Sequence, residues 1–243
     1  MKTDNGIILN NHEIAPGIFS MEIETVISSD VKPGQFVQVL VPGFFLRRPV
    51  SICDTTDRTL ILVYRVVGQG TEEMSHMKEG ESISLFGPLG NGFPVENRDV
   101  LLIGGGIGVP PLLKTAEAYR KNGFSVHVSL GFNTVSEIIL KGAFEKAGCD
   151  VHIATMDGSF GTKGTALDAI AEDRVEESFV LACGPLPMLK AVSQMYSDGY
   201  ISMEARMACG MGACMGCVVK DQEGNSLRVC KDGPVFPIGK VVL

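Results

Sequence analysis

The sequence predicts an α/β plus all-β fold, in which an antiparallel β-barrel precedes a parallel sheet with helices and a short cysteine-rich segment. Three observations lead to this prediction. Short apolar runs, broken by Gly, Pro and Asp, fill residues 1–97 without a long amphipathic helix. Apolar strands then alternate with helical periodicity over residues 98–200. Residues 201–243 are rich in glycine and carry a group of closely spaced cysteines.

The first part of the chain has the pattern of a small barrel. Four stretches read as strands, namely "GIFSMEIET", "GQFVQVLV", "TLILVYRVV" and "ESISLFG". A further strand-like run begins near Arg48. Six or so short strands joined by turns are typical of a closed antiparallel barrel.

The second part has the pattern of a parallel sheet. "DVLLIGG" is a wholly apolar strand, and it is followed by Pro110, Pro111 and a segment with helical spacing that ends near Gly123. "SVHVSLGF", "DVHIATMDG" and "SFVLACGP" read as further strands, with helices expected near 136–146, 165–172 and 186–197. Such alternation predicts a parallel sheet covered by helices on both faces.

Composition excludes several classes of protein. The net charge is −7 and no block of Lys and Arg compensates it, which argues against nucleic-acid binding. The longest apolar stretch, residues 100–113, is interrupted by glycines and prolines, so no membrane span is expected. The start, "MKTDNGIILN", lacks the apolar region of a secretory signal. With seven cysteines, an odd number, these features favour a reducing compartment, the cytoplasm.

The cysteine spacing near the C-terminus is the most specific motif. Two intervals of four and two residues separate three cysteines, and twelve residues precede the fourth. This is the plant-type [2Fe–2S] spacing, and the interleaved glycines allow backbone N–H groups to approach the sulfurs. Zinc, disulfides and inert buried thiols are the alternatives, although zinc usually takes two short cysteine pairs. The predicted cluster ligands are Cys209, Cys214, Cys217 and Cys230.

A glycine-rich loop follows the first strand of the second part. "IGGGIGVPP" opens a helix, which is the position where a helix N-terminus binds phosphate, but the spacing is not G-x-G-x-x-G and a tight turn alone would also explain it. "DGSFGTKG" and "CGP" also fall at carboxyl ends of strands, where such sheets bind ligands. Asn133 stands where an acid is common, and neither Arg nor Lys follows Gly131 directly, so NAD is favoured over NADP. The candidate nucleotide-binding residues are Gly104, Gly105, Gly106, Gly108, Cys183, Gly184 and Pro185.

Two stretches of the barrel suit a phosphate and a flat ring. "FFLRRPVSI" contains adjacent arginines, and a guanidinium fork binds pyrophosphate well. Neighbours on a strand point to opposite faces, so at most one of Arg47 and Arg48 has this role, and a solvated pair is the alternative. "VYRVVGQGT" adds a Tyr–Arg pair and a glycine turn that ends in a hydroxyl group.

The order of these motifs resembles the ferredoxin reductase superfamily. "RMACGMGACMGCVV" followed by "VCKDGPVF" is more narrowly similar to the electron-transfer subunits of class 1B dihydroorotate dehydrogenases. The resemblance implies an FAD-binding barrel (1–97), an NAD-binding domain (98–200) and a [2Fe–2S] segment (201–243). It assigns the four cysteines as cluster ligands. The FAD residues that it implies are Arg48, Pro49, Val50, Ser51, Tyr64, Arg65, Val66, Val67, Gly70 and Thr71.

The function that the resemblance implies is electron relay in pyrimidine biosynthesis. A separate FMN-containing catalytic subunit would oxidise dihydroorotate, and electrons would pass through the cluster and FAD to NAD, in a heterotetramer with two copies of each subunit. No catalytic acid–base residue is expected on this chain, and His76, His127 and His152 are expected to be structural. The alternatives are a reductase subunit of a hydrogenase or of a ferredoxin–nicotinamide transhydrogenase, and a non-catalytic zinc-binding scaffold.

Overall fold

Six antiparallel strands close into a barrel at the start of the computed structural model, which describes residues 1–243. The strand order is β1-β2-β5-β4-β3-β6, and β6 closes the barrel by pairing with β1. A helix, α1, connects β5 to β6. The elements are β1 (Lys2–Ala15), β2 (Ile18–Glu24), β3 (Phe36–Leu40), β4 (Arg48–Thr55), β5 (Thr59–Arg65), α1 (Gln69–His76) and β6 (Ser82–Leu89).

Alternation along β3 and β4 separates the inside of the barrel from an outer face that contacts the rest of the chain. Val37, Val39, Val50 and Ile52 are buried in the barrel core. Phe36, between these positions in the alternation, packs instead in a core that includes residues of the C-terminal segment. The outer face of β3 and β4 therefore meets that segment.

A seven-stranded sheet forms the second part of the chain, in the order β10-β9-β8-β7-β11-β12-β15, of which the last strand, β15 (Val235–Pro237), comes from the C-terminal segment. All neighbours are parallel except β15, which pairs antiparallel with β12. The strands are β7 (Val100–Gly105), β8 (Val126–Phe132), β9 (Asp150–Thr155), β10 (Thr162–Lys163), β11 (Phe179–Cys183) and β12 (Asp198–Ser202). The helices are α2 (Pro110–Lys121), α3 (Lys141–Lys146), α4 (Ala166–Asp173) and α5 (Leu186–Met195).

Helices cover both faces of this sheet, as the sequence predicts. Leu102 of β7 packs in the core that contains Tyr119 of α2 and Phe144 of α3. Its neighbour Leu101 packs in the other core, with residues of α4 and α5. Both faces are thus apolar, which explains the wholly apolar β7. No helix combines the length and the apolar composition that crossing a membrane requires.

The C-terminal segment fills the space between the sheet and the barrel. After the cysteine loop it forms a hairpin of β13 (Val218–Lys220) and β14 (Ser226–Arg228), then returns to the sheet edge as β15 (Val235–Pro237). Cys217, Val229 and Cys230 are buried in the core that also contains Phe36 of the barrel. The hairpin thereby brings Cys230, the fourth cysteine of the motif, close to the first three.

Some elements differ from the sequence-based expectations. The helix expected near 136–146 consists of a 3₁₀ turn, Val135–Glu137, and the short α3, because Leu140 adopts a left-handed φ of 61° between them. The barrel has a first strand, β1, and a helix, α1, that the sequence analysis did not identify. The expected boundary after residue 200 falls inside β12.

Candidate functional site

The cysteine loop directs backbone N–H groups at Cys209. The N–H groups of Ala213 and Cys214 donate to its Sγ at 3.3 and 3.4 Å. Desolvation raises the pKa of this thiol, but N–H groups, with that of Met211 the strongest, outweigh it and lower the pKa to about 6. Gly210 and Gly212 adopt φ angles of +68° and +86°, which gives the loop the curvature that these contacts require. The loop is therefore arranged to stabilise the thiolate form of Cys209.

The other three cysteines lie around the same point. Cys214 is hydrogen-bonded to Cys209, and the N–H group of Cys230 donates to Cys217 Sγ at 3.4 Å. Burial is the main cause that raises the pKa of the Cys230 thiol to about 12, with Cys217 and Cys209 adding to it. Four convergent thiols with N–H donors to sulfur fit an iron–sulfur cluster. Cys214 is exposed, whereas Cys217 and Cys230 are buried.

Arg228 holds the cysteine loop against the hairpin. Its guanidinium donates to the carbonyl oxygen of Gly212 at 2.9 Å and forms an ion pair with Asp232 at 3.0 Å. A side-chain carbon on Gly212 would lie 2.5 Å from Lys231 Cδ, so the loop packs closely on this turn. Arg228 also places positive charge near Cys230 and Cys217.

Arg48 and Gly70 form a candidate phosphate site at the start of α1. A Cβ atom on Gly70 would lie 2.3 Å from Arg48 Nε, so the guanidinium rests directly on the helix backbone. The same guanidinium lies 4.8 Å from the ring centroid of Phe44 and donates to the carbonyl oxygen of Leu46. A fixed guanidinium beside a helix N-terminus suits a pyrophosphate group.

Arg47 has a different role from its neighbour. Its guanidinium donates to the carbonyl oxygens of Ser84 and Gln38 at 2.9 and 3.3 Å, and to Ser84 Oγ at 3.1 Å. These bonds tie the chain before β4 to β3 and β6. The structure therefore leaves only Arg48 of the pair available for phosphate.

In the second predicted flavin stretch, mainly backbone groups are available to contact a ligand. Tyr64 is buried, and its hydroxyl donates to Asn11 Oδ1 at 3.0 Å, so its side chain belongs to the barrel core. Thr71 Oγ1 accepts from the N–H groups of Val67 and Gly68 at 2.9 and 3.2 Å and so caps α1. The N–H group of Val66 donates to Gly17. Val67 is 79% exposed.

A crevice of about 350 Å³ lies at the carboxyl edge of the parallel sheet. Of the predicted nucleotide residues, Gly105, Gly106 and Pro185 line it. Gly108 lies beneath, since a Cβ atom there would be 2.4 Å from the carbonyl oxygen of Cys183. Gly104 and Gly184 are likewise packed against neighbouring side chains. The glycines thus bring the loops after β7 and β11 together to form the floor.

Acidic residues that the sequence analysis did not identify complete this crevice. Glu137 accepts from Asn133 Nδ2 at 3.0 Å and forms an ion pair with Arg65 at 3.3 Å. Arg65 Nε is buried and has no partner. Glu204 keeps an exposed surface, yet desolvation by the surrounding chain raises the pKa of its carboxyl group. The available signal for Glu137 was its position four residues after Asn133, at the end of β8.

Gln38 lies between the predicted flavin residues and the cysteine loop. It is fully buried on the outer face of β3, opposite Pro49, while Phe36 pairs with Ser51. Its Nε2 donates to the carbonyl oxygen of Ala208 at 3.4 Å, and its Oε1 has no partner. A Cβ atom on Gly210 would lie 2.4 Å from Gln38 Nε2. The two candidate sites therefore share this one side chain.

Comparison with known proteins identifies the family. The chain is 42% identical to the dihydroorotate dehydrogenase B (NAD(+)) electron transfer subunits of Bacillus cereus (strain G9842) and Bacillus anthracis (strain A0248), over the whole of each chain. The chain belongs to this family. Residues 204–242 also match the family model for the iron-sulfur cluster binding domain of dihydroorotate dehydrogenase B.

Solved structures share the fold. An NADH-dependent reduced ferredoxin-NADP oxidoreductase, described in work on flavin-based electron bifurcation, superposes with a TM-score of 0.90 at 31% identity, covering 98% of this chain and 89% of that one. An Amycolatopsis cytochrome P450 reductase superposes with a TM-score of 0.72 at 24% identity, covering 80% of this chain and 65% of that one. The second likeness concerns the fold alone. The predicted family and the predicted combination of barrel, parallel sheet and cluster segment are confirmed.

Proposed function

We propose that this chain carries electrons between the catalytic subunit of dihydroorotate dehydrogenase B and NAD. The observation that carries the proposal is the 42% identity to electron transfer subunits over the whole chain, cluster loop included. FAD and a [2Fe–2S] cluster, when bound, supply the one- and two-electron chemistry that such a relay needs. The chain itself binds these groups, fixes their separation and excludes water.

The FAD site is assigned to the barrel on the contact between Arg48 and Gly70. Arg48 would bind the pyrophosphate together with the N-terminus of α1. Pro49, Ser51 and the backbone of Val50 and of 64–67 would border the ring, because the Val50 side chain is buried in the barrel core. Thr71 would hold the start of α1 through its two hydrogen bonds. Ser51 lies on the outer face that the cysteine loop also contacts through Gln38.

The nicotinamide nucleotide is assigned to the crevice at the carboxyl edge of the sheet, on Gly104–Gly108 and Cys183–Pro185. Glu137 stands where a ribose hydroxyl would be recognised, and its carboxylate would repel a 2′-phosphate. The crevice is therefore suited to NAD rather than NADP. Arg65 extends from the end of β5 to Glu137, so the flavin and nucleotide sites meet at this ion pair.

The partner is expected to dock over the cysteine loop. Met211 and Met215 are 48% and 51% exposed, and Cys214 between them is exposed as well. An apolar, exposed surface at a redox centre permits the close approach that electron transfer needs. We propose a heterotetramer with two copies of each subunit and a cytoplasmic location, which the seven unpaired cysteines support. We also propose the domain division 1–97, 98–200 and 201–243, with the second boundary moved to Ser202, where β12 ends.

A reductase subunit of another flavin complex is the second candidate. The TM-score of 0.90 to the ferredoxin-NADP oxidoreductase favours it, but the identity of 31% is lower than the 42% shared with the dihydroorotate dehydrogenase B subunits. Copurification from the native host distinguishes the two. The proposal expects an FMN-containing dihydroorotate dehydrogenase subunit with this chain, and flavin with iron in the chain itself. A hydrogenase or transhydrogenase partner, or zinc in place of iron, would contradict it.

A further inference from the structure

Two histidines and an aspartate meet at the amino edge of the parallel sheet, away from the cofactor sites. His127 lies near the start of β8, and Asp150 and His152 lie near the start of β9. His127 and Asp150 are register partners, and all three side chains are on the face that α4 covers. The crevice is lined by Gly131 and Phe132, at the other end of β8 and roughly 16 Å along the strand.

The three atoms that face one another form a triangle of suitable size for a metal ion. His127 Nδ1 lies 3.4 Å from His152 Nε2, and Asp150 Oδ2 lies 3.3 and 3.6 Å from these two nitrogens. The centre of such a triangle is about 2.0 Å from each corner, which is the length of a zinc–nitrogen bond. The ring centroids are 5.7 Å apart, farther than the two facing nitrogens at 3.4 Å, so the two rings approach through their nitrogens.

The outer nitrogen of each ring is held by another carboxylate. His127 Nε2 lies 3.2 Å from Glu177 Oε1, and His152 Nδ1 lies 2.6 Å from Asp173 Oδ2. A carboxylate only accepts, so each outer nitrogen carries a hydrogen, and in the neutral imidazole the inner nitrogen then presents a lone pair. Carboxylates behind histidines orient the ring in this way at zinc sites.

With both imidazoles neutral, this arrangement leaves three acceptor atoms facing one space with no donor among them. None of the three carboxylates that surround the histidines forms an ion pair with Lys or Arg. A bound cation would neutralise the group, and two imidazoles with one carboxylate suit zinc better than magnesium or calcium, which prefer oxygen ligands. Asp150 is 64% exposed, which leaves a path for the ion and room for a water ligand.

We propose that His127, Asp150 and His152 bind one zinc ion, with Glu177 and Asp173 as positioning residues. The ion joins β8 to β9 at the amino edge of the sheet, and the two carboxylates link it to α4 and to the chain before β11. The structural role expected for these two histidines from the sequence is therefore replaced by a metal-binding one. The site is separate from the four cysteines.

The experiment uses the untagged chain with flavin and cluster bound. The protein is dialysed under argon against buffered micromolar Zn²⁺, and the zinc and iron contents of each sample are both measured. Zinc that displaced iron from the cysteines would be detected as a loss of iron. Wild-type protein is expected to retain one zinc per chain with its iron unchanged. His127→Gln and Asp150→Asn are expected to lose that zinc, and Glu177→Gln to bind it about 10- to 100-fold more weakly.

His12→Gln is the matched control, since His12 is exposed on β1, far in sequence from the two histidines of the proposed zinc site. It is expected to bind zinc as the wild type does. X-ray absorption at the zinc edge should show two imidazole ligands and no sulfur. Three results would overturn the proposal: absence of zinc from folded wild-type protein, equal zinc binding by Asp150→Asn, or sulfur around the zinc. Absence of zinc would indicate that a shared proton holds the two histidines together.

Discussion

Gln38 on β3 donates a hydrogen bond from Nε2 to the carbonyl oxygen of Ala208, the residue before the first cysteine of the cluster loop, at 3.4 Å. The same side chain lies opposite Pro49 on the outer face of the barrel. This contact joins the part of the chain assigned to FAD to the part assigned to the cluster. It fixes the position of Cys209 relative to the barrel.

Replacement of Gln38 by Leu is expected to loosen the cluster loop. The bond to Ala208 is lost, at a cost of about 0.5–1.5 kcal/mol, and the loop gains freedom near Cys209. Iron is expected to leave the variant faster on exposure to a chelator, and electron exchange between cluster and flavin is expected to slow, as stopped-flow absorbance would measure.

Gln35→Leu is the control for this prediction. Gln35 is also buried beside β3, but it bonds to Lys32 and Gly90, away from the loop. It is expected to lower the free energy of unfolding without changing iron release. Equal iron release from Gln38→Leu and wild type would show that Gln38 does not hold the loop.

Arg48→Ala is expected to weaken FAD binding. Charge-assisted bonds to the pyrophosphate contribute about 1.5–3 kcal/mol, so the dissociation constant should rise roughly tenfold to a hundredfold. Equilibrium dialysis of the flavin measures it. Gly70→Ala is expected to act in the same direction, because its Cβ atom would displace the guanidinium.

Arg47→Ala provides the comparison for Arg48→Ala. Arg47 bonds to Ser84 and Gln38, so its loss is expected to lower the free energy of unfolding of the barrel by about 1.5–3 kcal/mol and to affect FAD less than Arg48→Ala does. If Arg48→Ala retained FAD as well as wild type while Arg47→Ala lost it, the phosphate site would have to be reassigned.

Cys214→Ala is expected to remove the cluster and leave most of the FAD. Cys214 is exposed in the cysteine loop, whereas the flavin residues lie on the barrel between 48 and 71. Iron analysis and flavin absorbance of the same sample measure both outcomes. Loss of the flavin together with the iron would mean that the two sites form one folding unit.

Glu137→Ala is expected to relax the preference for NADH. Its carboxylate disfavours a 2′-phosphate, so kcat/KM for NADPH relative to NADH should rise at least tenfold, or about 1.4 kcal/mol. Glu145→Ala is the control, since Glu145 lies on α3 and pairs with Lys141 outside the crevice. An unchanged ratio in Glu137→Ala would remove Glu137 from nucleotide recognition.

Structure follows most directly from sequence in the elements that a local pattern of residues determines. The apolar β7 and the spacing of the four cysteines depend on neighbouring residues, so the parallel sheet and the cluster segment followed from them. β1 was not predicted, because this long strand is mostly exposed and polar and so lacks a clear alternation of apolar and polar residues. α1 was not predicted either, because glycines, which are typical of a turn, lie at its start.

Features formed by distant segments could not be predicted in this way. Glu137 reaches the crevice because Asn133 and Arg65 hold it, and Arg65 comes from the barrel. The contact between Gln38 and Ala208 joins residues 170 positions apart. Strand alternation predicted that at most one of Arg47 and Arg48 binds phosphate, and the resemblance implied Arg48. The position of the Arg48 guanidinium against Gly70 of α1 could not be predicted from the sequence.

The decisive comparison is between substrate turnover by the purified chain and turnover by its complex with the catalytic subunit. Dihydroorotate oxidation is assigned to the catalytic subunit, so the isolated chain, with flavin and cluster bound, is expected to oxidise NADH with an artificial acceptor and to show no dihydroorotate turnover. Addition of the FMN-containing subunit is expected to couple orotate formation to NAD reduction, and Cys214→Ala is expected to abolish that coupling. Dihydroorotate-dependent NAD reduction by the isolated chain would contradict the assignment.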